Sequence, residues 1–138
     1  MTDSPLEQLV GAMDRLDADA VIALLAPHAR FLAVDGRRAE GKAAARDLLT
    51  RFLGMLRSTT HRITAQWHVD DVWIAEMEAS YVLQDWLEIN ALPRAFVLRD
   101  GPEGITYVHA YGAHEHALSE HRTGDEGLWI RGRWIPPL

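Results

Sequence analysis

Apolar side chains recur at intervals of three and four up to about Ser58 to Thr60. From there to about His116 they recur at intervals of two, so the pattern predicts helices first and sheet second. Ser4, Pro5 and Glu7 match a capping box with proline at the first helical position, which predicts a helix start there. Leu6, Leu9, Val10, Met13 and Leu16 then fall on one face. Asp17 is read as the cap of a second, shorter helix carrying Val21, Ile22, Leu24 and Leu25, stopped by Pro27. Arg30 to Val34 predicts a short strand, and Asp35-Gly36 a reversing turn. A third helix is expected from about Lys42 to Arg57, with Ala45, Leu48, Leu49, Phe52, Leu53 and Leu56 on its apolar face.

Beyond the switch, Ile63, Ala65, Trp67 and Val69 alternate with Arg62, Thr64, Gln66 and His68, which predicts a strand with one buried face. After Asp70-Asp71, the series Trp73, Ala75, Met77, Ala79, Tyr81 and Leu83 alternates with Glu76, Glu78, Ser80 and Gln84 in a second long strand. A third strand is expected over Trp86 to Leu98, with Pro93 marking an edge or a bulge, because proline lacks the amide a ladder needs. Asp100 to Gly104 forms a hairpin loop, and Ile105 to about His114 returns as the last strand. Four meander strands after three helices make an α+β layer fold.

A chain of 138 residues, 48% hydrophobic and 25% charged, suits one globular domain rather than two. No stretch is apolar enough for a membrane span. Met1 to Leu6 is short, polar and proline-containing, so no secretory signal is read and a cytoplasmic location is expected. The absence of cysteine removes disulfides, thiol nucleophiles and thiolate metal sites. A formal charge of -6 and no basic run longer than Arg37-Arg38 outside the tail argue against a nucleic-acid partner.

In order and spacing, several pieces resemble the nuclear transport factor 2-like superfamily, in its SnoaL-like, ketosteroid-isomerase-like branch. They are Asp17-Ala-Asp19 opening the second helix, Ala29-Arg-Phe after it, Asp35-Gly36, Glu40-Gly41-Lys42 starting the third helix, and Gly104-Ile105 leading to Tyr111. The resemblance covers roughly residues 6 to 116. It implies a cone-shaped fold, three N-terminal helices packed in a curved, mainly antiparallel sheet, with a pocket at the open end and commonly a dimer through the outer sheet face. The domain is expected over 1 to 118, followed by a C-terminal arm over 119 to 138. Leu9, Ala33 and Ala95 stand where a ketosteroid isomerase of this branch would carry its base and its two oxyanion donors, so that chemistry is not expected. Ala110 and Ala113 stand where acids would be expected, which weakens an epoxide hydrolase reading.

If the apolar parity of each strand faces the helices, the pocket is lined by Phe31, Trp67, Met77, Tyr81, Ala91, Ala95, Val108 and Ala110. These would hold a small hydrophobic or aromatic ligand, with Tyr81 as hydrogen-bonding group and Trp67 as stacking platform. The competing reading is that they simply fill the core. The opposite parity mixes Trp86, Tyr107, His109 and Tyr111 with Glu76, Glu78 and Glu88, a composition that suits a homodimer interface on the outer sheet face. His109, His114, His116 and His121 crowd near the end of the last strand, but without a helical His-Glu-x-x-His or a cysteine no metal or other cofactor is assigned. Arg94 is read as a surface arginine, the other reading being a partner for an anionic substrate group. The tail segments Leu128-Trp129-Ile130 and Trp134-Ile135 would form a small hairpin or an extended arm, packed across the pocket mouth or onto a second subunit. Three functions follow: binding of a small hydrophobic or aromatic molecule; a lyase or isomerase using Tyr81 with a histidine or Arg94; or a dimerisation module with a filled core.

Overall fold

The Ser4 hydroxyl accepts the Glu7 amide at 3.0 Å and so caps the first helix, α1 (Pro5–Asp14), as the sequence pattern requires. The same hydroxyl donates to Gln66 Oε1 at 2.9 Å, and Gln66 Nε2 donates to Glu7 Oε1 at 3.1 Å, which ties the helix start to the sheet. Asp17 caps α2 (Ala18–Ala23) through the Ala20 amide at 3.0 Å. The computed structural model describes residues 3–112, 128–130 and 133–135. After α2 the order is β1 (Leu25–Leu32), β2 (Arg38–Glu40), α3 (Gly41–Gly54), β3 (Leu56–Val69), β4 (Val72–Leu83), β5 (Glu88–Gly101) and β6 (Gly104–Gly112). Two strands thus separate α3 from the first two helices.

The main sheet has the order β2-β1-β6-β5-β4-β3, antiparallel throughout except for the parallel pair β1 and β6. The start of β6 approaches the end of α2 closely: the Ile105 amide donates to Leu24 O at 2.9 Å, and a Cβ on Gly104 would stand 2.7 Å from that oxygen. Gly104 has φ +120°, so only glycine fits here on both counts. One inward row crosses the sheet through Ala39, Phe31, Val108, Leu98 and Trp73, and it packs with Leu6, Leu9, Leu49 and Ile105 into the core. A second buried cluster joins Leu53 and Leu56 to Tyr81, Ile89 and Leu92.

The helix-to-sheet switch falls earlier than the periodicity predicts. Helix α3 ends at Gly54 rather than Arg57, and Leu56, expected on the helix, is the first residue of β3 and pairs with Leu83. Gly54 ends the helix where its backbone freedom makes helix least favourable. Pro93 lies inside the sheet, since β5 runs between β4 and β6, and its neighbourhood is a bulge. Ala79 pairs with Leu92 but Tyr81 with Ile89, so β5 holds one extra residue there, with Ala91 at φ +55° and its amide on Ser80 Oγ at 2.9 Å. A second irregularity lies between Ile63, paired with Met77, and Ala65, paired with Glu76.

Each bulge reverses which face the following side chains take. Trp67 is therefore on the outer face, 49% exposed and opposite Ile74, not in a pocket wall. Ala91 and Ala95 are also displaced from the inward set, because beyond the bulge it is Leu92, Arg94, Phe96 and Leu98 that are buried. Strand β4 has no such interruption before Tyr81; Ala75, Met77, Ala79 and Tyr81 are buried, while Glu76 is exposed and Glu78 pairs outward with Arg62 at 2.9 Å. Of the expected C-terminal arm, only two short strands are described, β7 (Leu128–Ile130) and β8 (Arg133–Ile135). They pair antiparallel with Trp129 opposite Trp134. His114, His116 and His121 lie outside the described residues. No helix among the described residues is long and apolar enough to cross a membrane.

Candidate functional site

A cavity opens between α3, the β1–β2 turn and the inner face of the sheet, with an empty volume of about 690 Å³ counting its open part. Leu48, Leu49 and Phe52 of α3, Met13 of α1 and Phe31 of β1 supply apolar wall. Asp35 and Arg37 line it from the turn, joined to each other at 2.6 Å. The sheet contributes His61, Tyr81, Arg94, Phe96 and Ala110. Of the eight residues the sequence pattern points to, Phe31, Tyr81 and Ala110 line this cavity. Met77 and Val108 face inward but are packed into the core beside it. Trp67, Ala91 and Ala95 are not in its wall, for the bulge geometry given above.

The chemistry at the sheet side of the cavity centres on a residue the alternation pattern left out. His61 is two positions before Ile63 on the inward parity of β3, and its side chain is 1% exposed. Asp14, the last residue of α1, holds it from two directions. Asp14 Oδ1 is 2.6 Å from His61 Nδ1, and Asp14 Oδ2 accepts the His61 backbone amide at 3.0 Å. The carboxylate accepts a hydrogen bond from an Nδ1–H, and in the tautomer with its proton at Nδ1 it is Nε2 that is the acceptor nitrogen. Tyr81 and Phe96 flank the imidazole edge-on, at centroid distances of 6.1 and 6.0 Å. With the Asp14 side occupied, Nε2 lies on the opposite ring edge, buried and without a hydrogen-bond partner among the described residues. A buried polar atom left unpaired is costly, so Nε2 is a position at which a bound molecule can supply a partner. The pair was legible in principle: extending the β3 alternation back from Ile63 reaches His61, and Asp14 follows Val10 by four residues on the helix.

Arg94 is the other departure from expectation. It is 4% exposed, hence buried rather than on the surface, and it lines the cavity because the Ala91 bulge turns it inward. Its Nη1 donates to Pro93 O at 3.3 Å.

Histidine 109 takes the opposite face. Its ring stacks on Tyr111 at 3.8 Å, and the Tyr107 hydroxyl lies 2.9 Å from its Nδ1 and donates to it when the ring is neutral. Burial first, and then the Arg38 charge, hold its pKa below the ordinary 6.5. Because the folded value is lower, the unfolded chain binds the proton more readily in the window just beneath 6.5. Stability should therefore fall as pH drops through that window and be fully retained above it. Urea titrations at stepped pH on the protein and on His109→Gln should differ in slope only there; identical slopes would refute the assignment. Among the described residues no three His, Cys, Asp or Glu side chains gather as metal ligands would.

Residues 6–116 match the sequence profile of a known family, described as the SnoaL-like domain. No curated protein sequence matches the chain. Among solved structures, a protein of ketosteroid isomerase-like fold from Catenulispora acidiphila, in complex with trimethylamine, superposes with a TM-score of 0.75. It is 18% identical, over 85% of this chain and 91% of that one. An LEH-like epoxide hydrolase from M. tuberculosis gives 0.68 at 19% identity, over 79% and 80%. An NTF2-like protein of unknown function from Burkholderia pseudomallei gives 0.70 at 13% identity, over 79% and 88%. At such identities the likeness is one of fold.

Proposed function

As this chain belongs to the SnoaL-like domain family, we propose that it takes a small hydrophobic or aromatic molecule into the cavity of its cone and that Asp14 and His61 move a proton on it, in a lyase or isomerase reaction. The observation that carries this reading is the buried imidazole fixed at Nδ1 by a carboxylate while Nε2 has no partner among the described residues of a mostly apolar cavity. Nε2 accepts a proton from a carbon made acidic by a neighbouring carbonyl, and Asp14 stabilises the imidazolium that results. In an isomerisation the proton returns to another carbon. In an elimination the imidazolium gives it to the departing hydroxyl, which leaves as water. Either way His61 ends neutral. Phe31, Phe52 and Phe96 exclude water and provide the apolar contact, as expected for a ligand site. Solved proteins of this fold that include an epoxide hydrolase and a trimethylamine complex support a small-molecule role.

The test is deuterium wash-in from D2O into a panel of small enolisable aryl ketones, followed by mass spectrometry. Exchange above the buffer rate is expected for at least one member. A panel that exchanges at the buffer rate throughout would leave the cavity as a binding site without acid/base work.

The outer sheet face is our proposed homodimer surface. A row of Leu32, Val97, Ile74 and Trp67 crosses it between Arg38 and the sheet edge, with His109 among them, and Trp67 and Ile74 are 49% and 39% exposed. Sedimentation should give a dimer for the protein and a monomer for Ile74→Asp; a monomeric parent would end this reading.

A further inference from the structure

We infer that the cavity binds its ligand through a hydroxyl group held between Thr59 Oγ1 and His61 Nε2, which makes the substrate a small β-hydroxy ketone and the reaction the removal of that hydroxyl as water. The inference rests on the proton transfer proposed above and names the class of molecule on which it acts. Thr59 Oγ1 and His61 Nε2 are buried side-chain polar atoms with no hydrogen-bond partner among the described residues. Both residues are well enclosed, Thr59 at 4% and His61 at 8% exposure. They are two positions apart on the inward face of β3, so their side chains are neighbours on backbones about 6.6 Å apart. Tyr81 of β4 pairs with Thr59 and stands edge-on to the imidazole at 6.1 Å. Two unpaired polar atoms in one apolar neighbourhood are a cost that a single bridging group removes.

The chemistry of the two atoms selects that group. With its proton at Nδ1 the imidazole offers only an acceptor at Nε2, so the group must donate. A carbonyl or carboxylate oxygen has no hydrogen to give, whereas a hydroxyl donates to Nε2 and accepts from Thr59 at the same time. Thr59 and His61 do not bond each other through these atoms, and an oxygen with two hydrogen bonds of about 2.8 Å spans a gap of up to about 5.6 Å. His61 lines the cavity and Thr59 stands behind it, so the oxygen sits at the cavity's edge and the body of the ligand lies on the His61 side. Without ligand the same position takes a water, which needs at least two polar partners. In the reaction, Nε2 takes a proton from the carbon between the carbonyl and the hydroxyl-bearing carbon, and the C–H electron pair forms the double bond. The C–O bond breaks with its pair on oxygen, Thr59 donates to that oxygen as charge builds, and the imidazolium gives it the proton. Water and an enone result, and His61 ends neutral.

The probe is the aldol of acetone with benzaldehyde, incubated with the protein in D2O and, separately, in water labelled with heavy oxygen. Mass spectrometry follows deuterium beside the carbonyl, and reads the hydroxyl oxygen from fragments that lack the carbonyl. Reversible elimination should exchange that oxygen as well as the hydrogen. Thr59→Val should slow oxygen exchange about 10-fold or more beyond any slowing of deuterium wash-in, the scale of one lost hydrogen bond to a charged group, and Thr59→Ser should restore it. A threonine that merely packs would lower both rates together. A crystal structure of the ligand-free protein should show an ordered water within hydrogen-bond distance of both Oγ1 and Nε2, a result that does not depend on how Thr59→Val folds. Wash-in without oxygen exchange in the parent, equal rates of loss in Thr59→Val, or no water at that position would overturn this inference and leave the proton transfer standing. So would an inert aldol beside ketones that exchange. Wash-in into neither the aldol nor the ketones would remove the proton-transfer reading, and this inference with it.

Discussion

Replacing His61 with glutamine is expected to lower deuterium wash-in by about two to four orders of magnitude, the usual contribution of a positioned acid/base group. Glutamine keeps an amide within reach of Asp14 and fills most of the imidazole volume, so the fold has little reason to collapse. It cannot carry the proton. Asp14→Asn should cost turnover on a similar scale for a different reason. An asparagine amide facing Nδ1 can donate to it, which moves the ring proton to Nε2 and turns the acceptor into a donor. The two variants together separate catalysis from packing, because both should melt near the parent while exchange falls. Exchange at the parent rate in His61→Gln would remove His61 from the chemistry and return the pair to a structural role.

The second large effect falls on stability. Leu98→Ala should destabilise the protein by about 2–5 kcal/mol, from lost transfer energy plus the cavity left behind. Leu98 is fully buried at the middle of the sheet, between Val108 of β6 and Trp73 of β4, so no single strand can move in to close the gap. Against a typical total of about 5–15 kcal/mol, that is a large fraction, and the melting temperature should fall by roughly 10 °C. Val69→Thr, at a position 68% exposed near the hairpin tip, is the control and should change little. A loss below about 1 kcal/mol for Leu98→Ala would mean that this row is not the packed centre of the sheet.

How far the chain can be read without coordinates depends on the kind of signal. Local chemistry was legible. The Ser4 and Asp17 caps act within three residues of themselves, and each caps the helix the pattern assigned to it. The alternation of β4 was legible as well, because the extra residues beside it sit in its partner strands and Met77, Ala79 and Tyr81 stay on one buried face. Family membership was legible from the order of weak pieces along residues 6–116, none of which carries it alone.

The pocket wall was legible only in part, and the failures share one cause. Trp67, Ala91 and Ala95 are misplaced by parity because one extra residue sits in β3 near Thr64 and another in β5 near Ala91. Pro93 marks the irregularity in β5 without fixing which residue is the extra one, and no glycine or proline marks the one in β3. Arg94, beside Pro93, could turn either way on the sequence and is read there as a surface arginine; the bulge turns it in. Asp14 and His61 are 47 positions apart, on a helix end and a strand. Their residue types are ordinary, and only their meeting gives them a role.

The sequence by itself determined what short-range forces determine: where helices are capped, which strands alternate, that residues 6–116 form an α+β unit of a known family, and that Tyr81 faces inward. Tertiary structure alone decided which face each strand presents beyond its bulges, and that a carboxylate, an imidazole and a guanidinium meet at one cavity. The reason is physical. A cap or an alternating strand is set by neighbours a few bonds away, whereas a bulge is set by the register of a partner strand, and a site by where several such strands and a helix end come to rest.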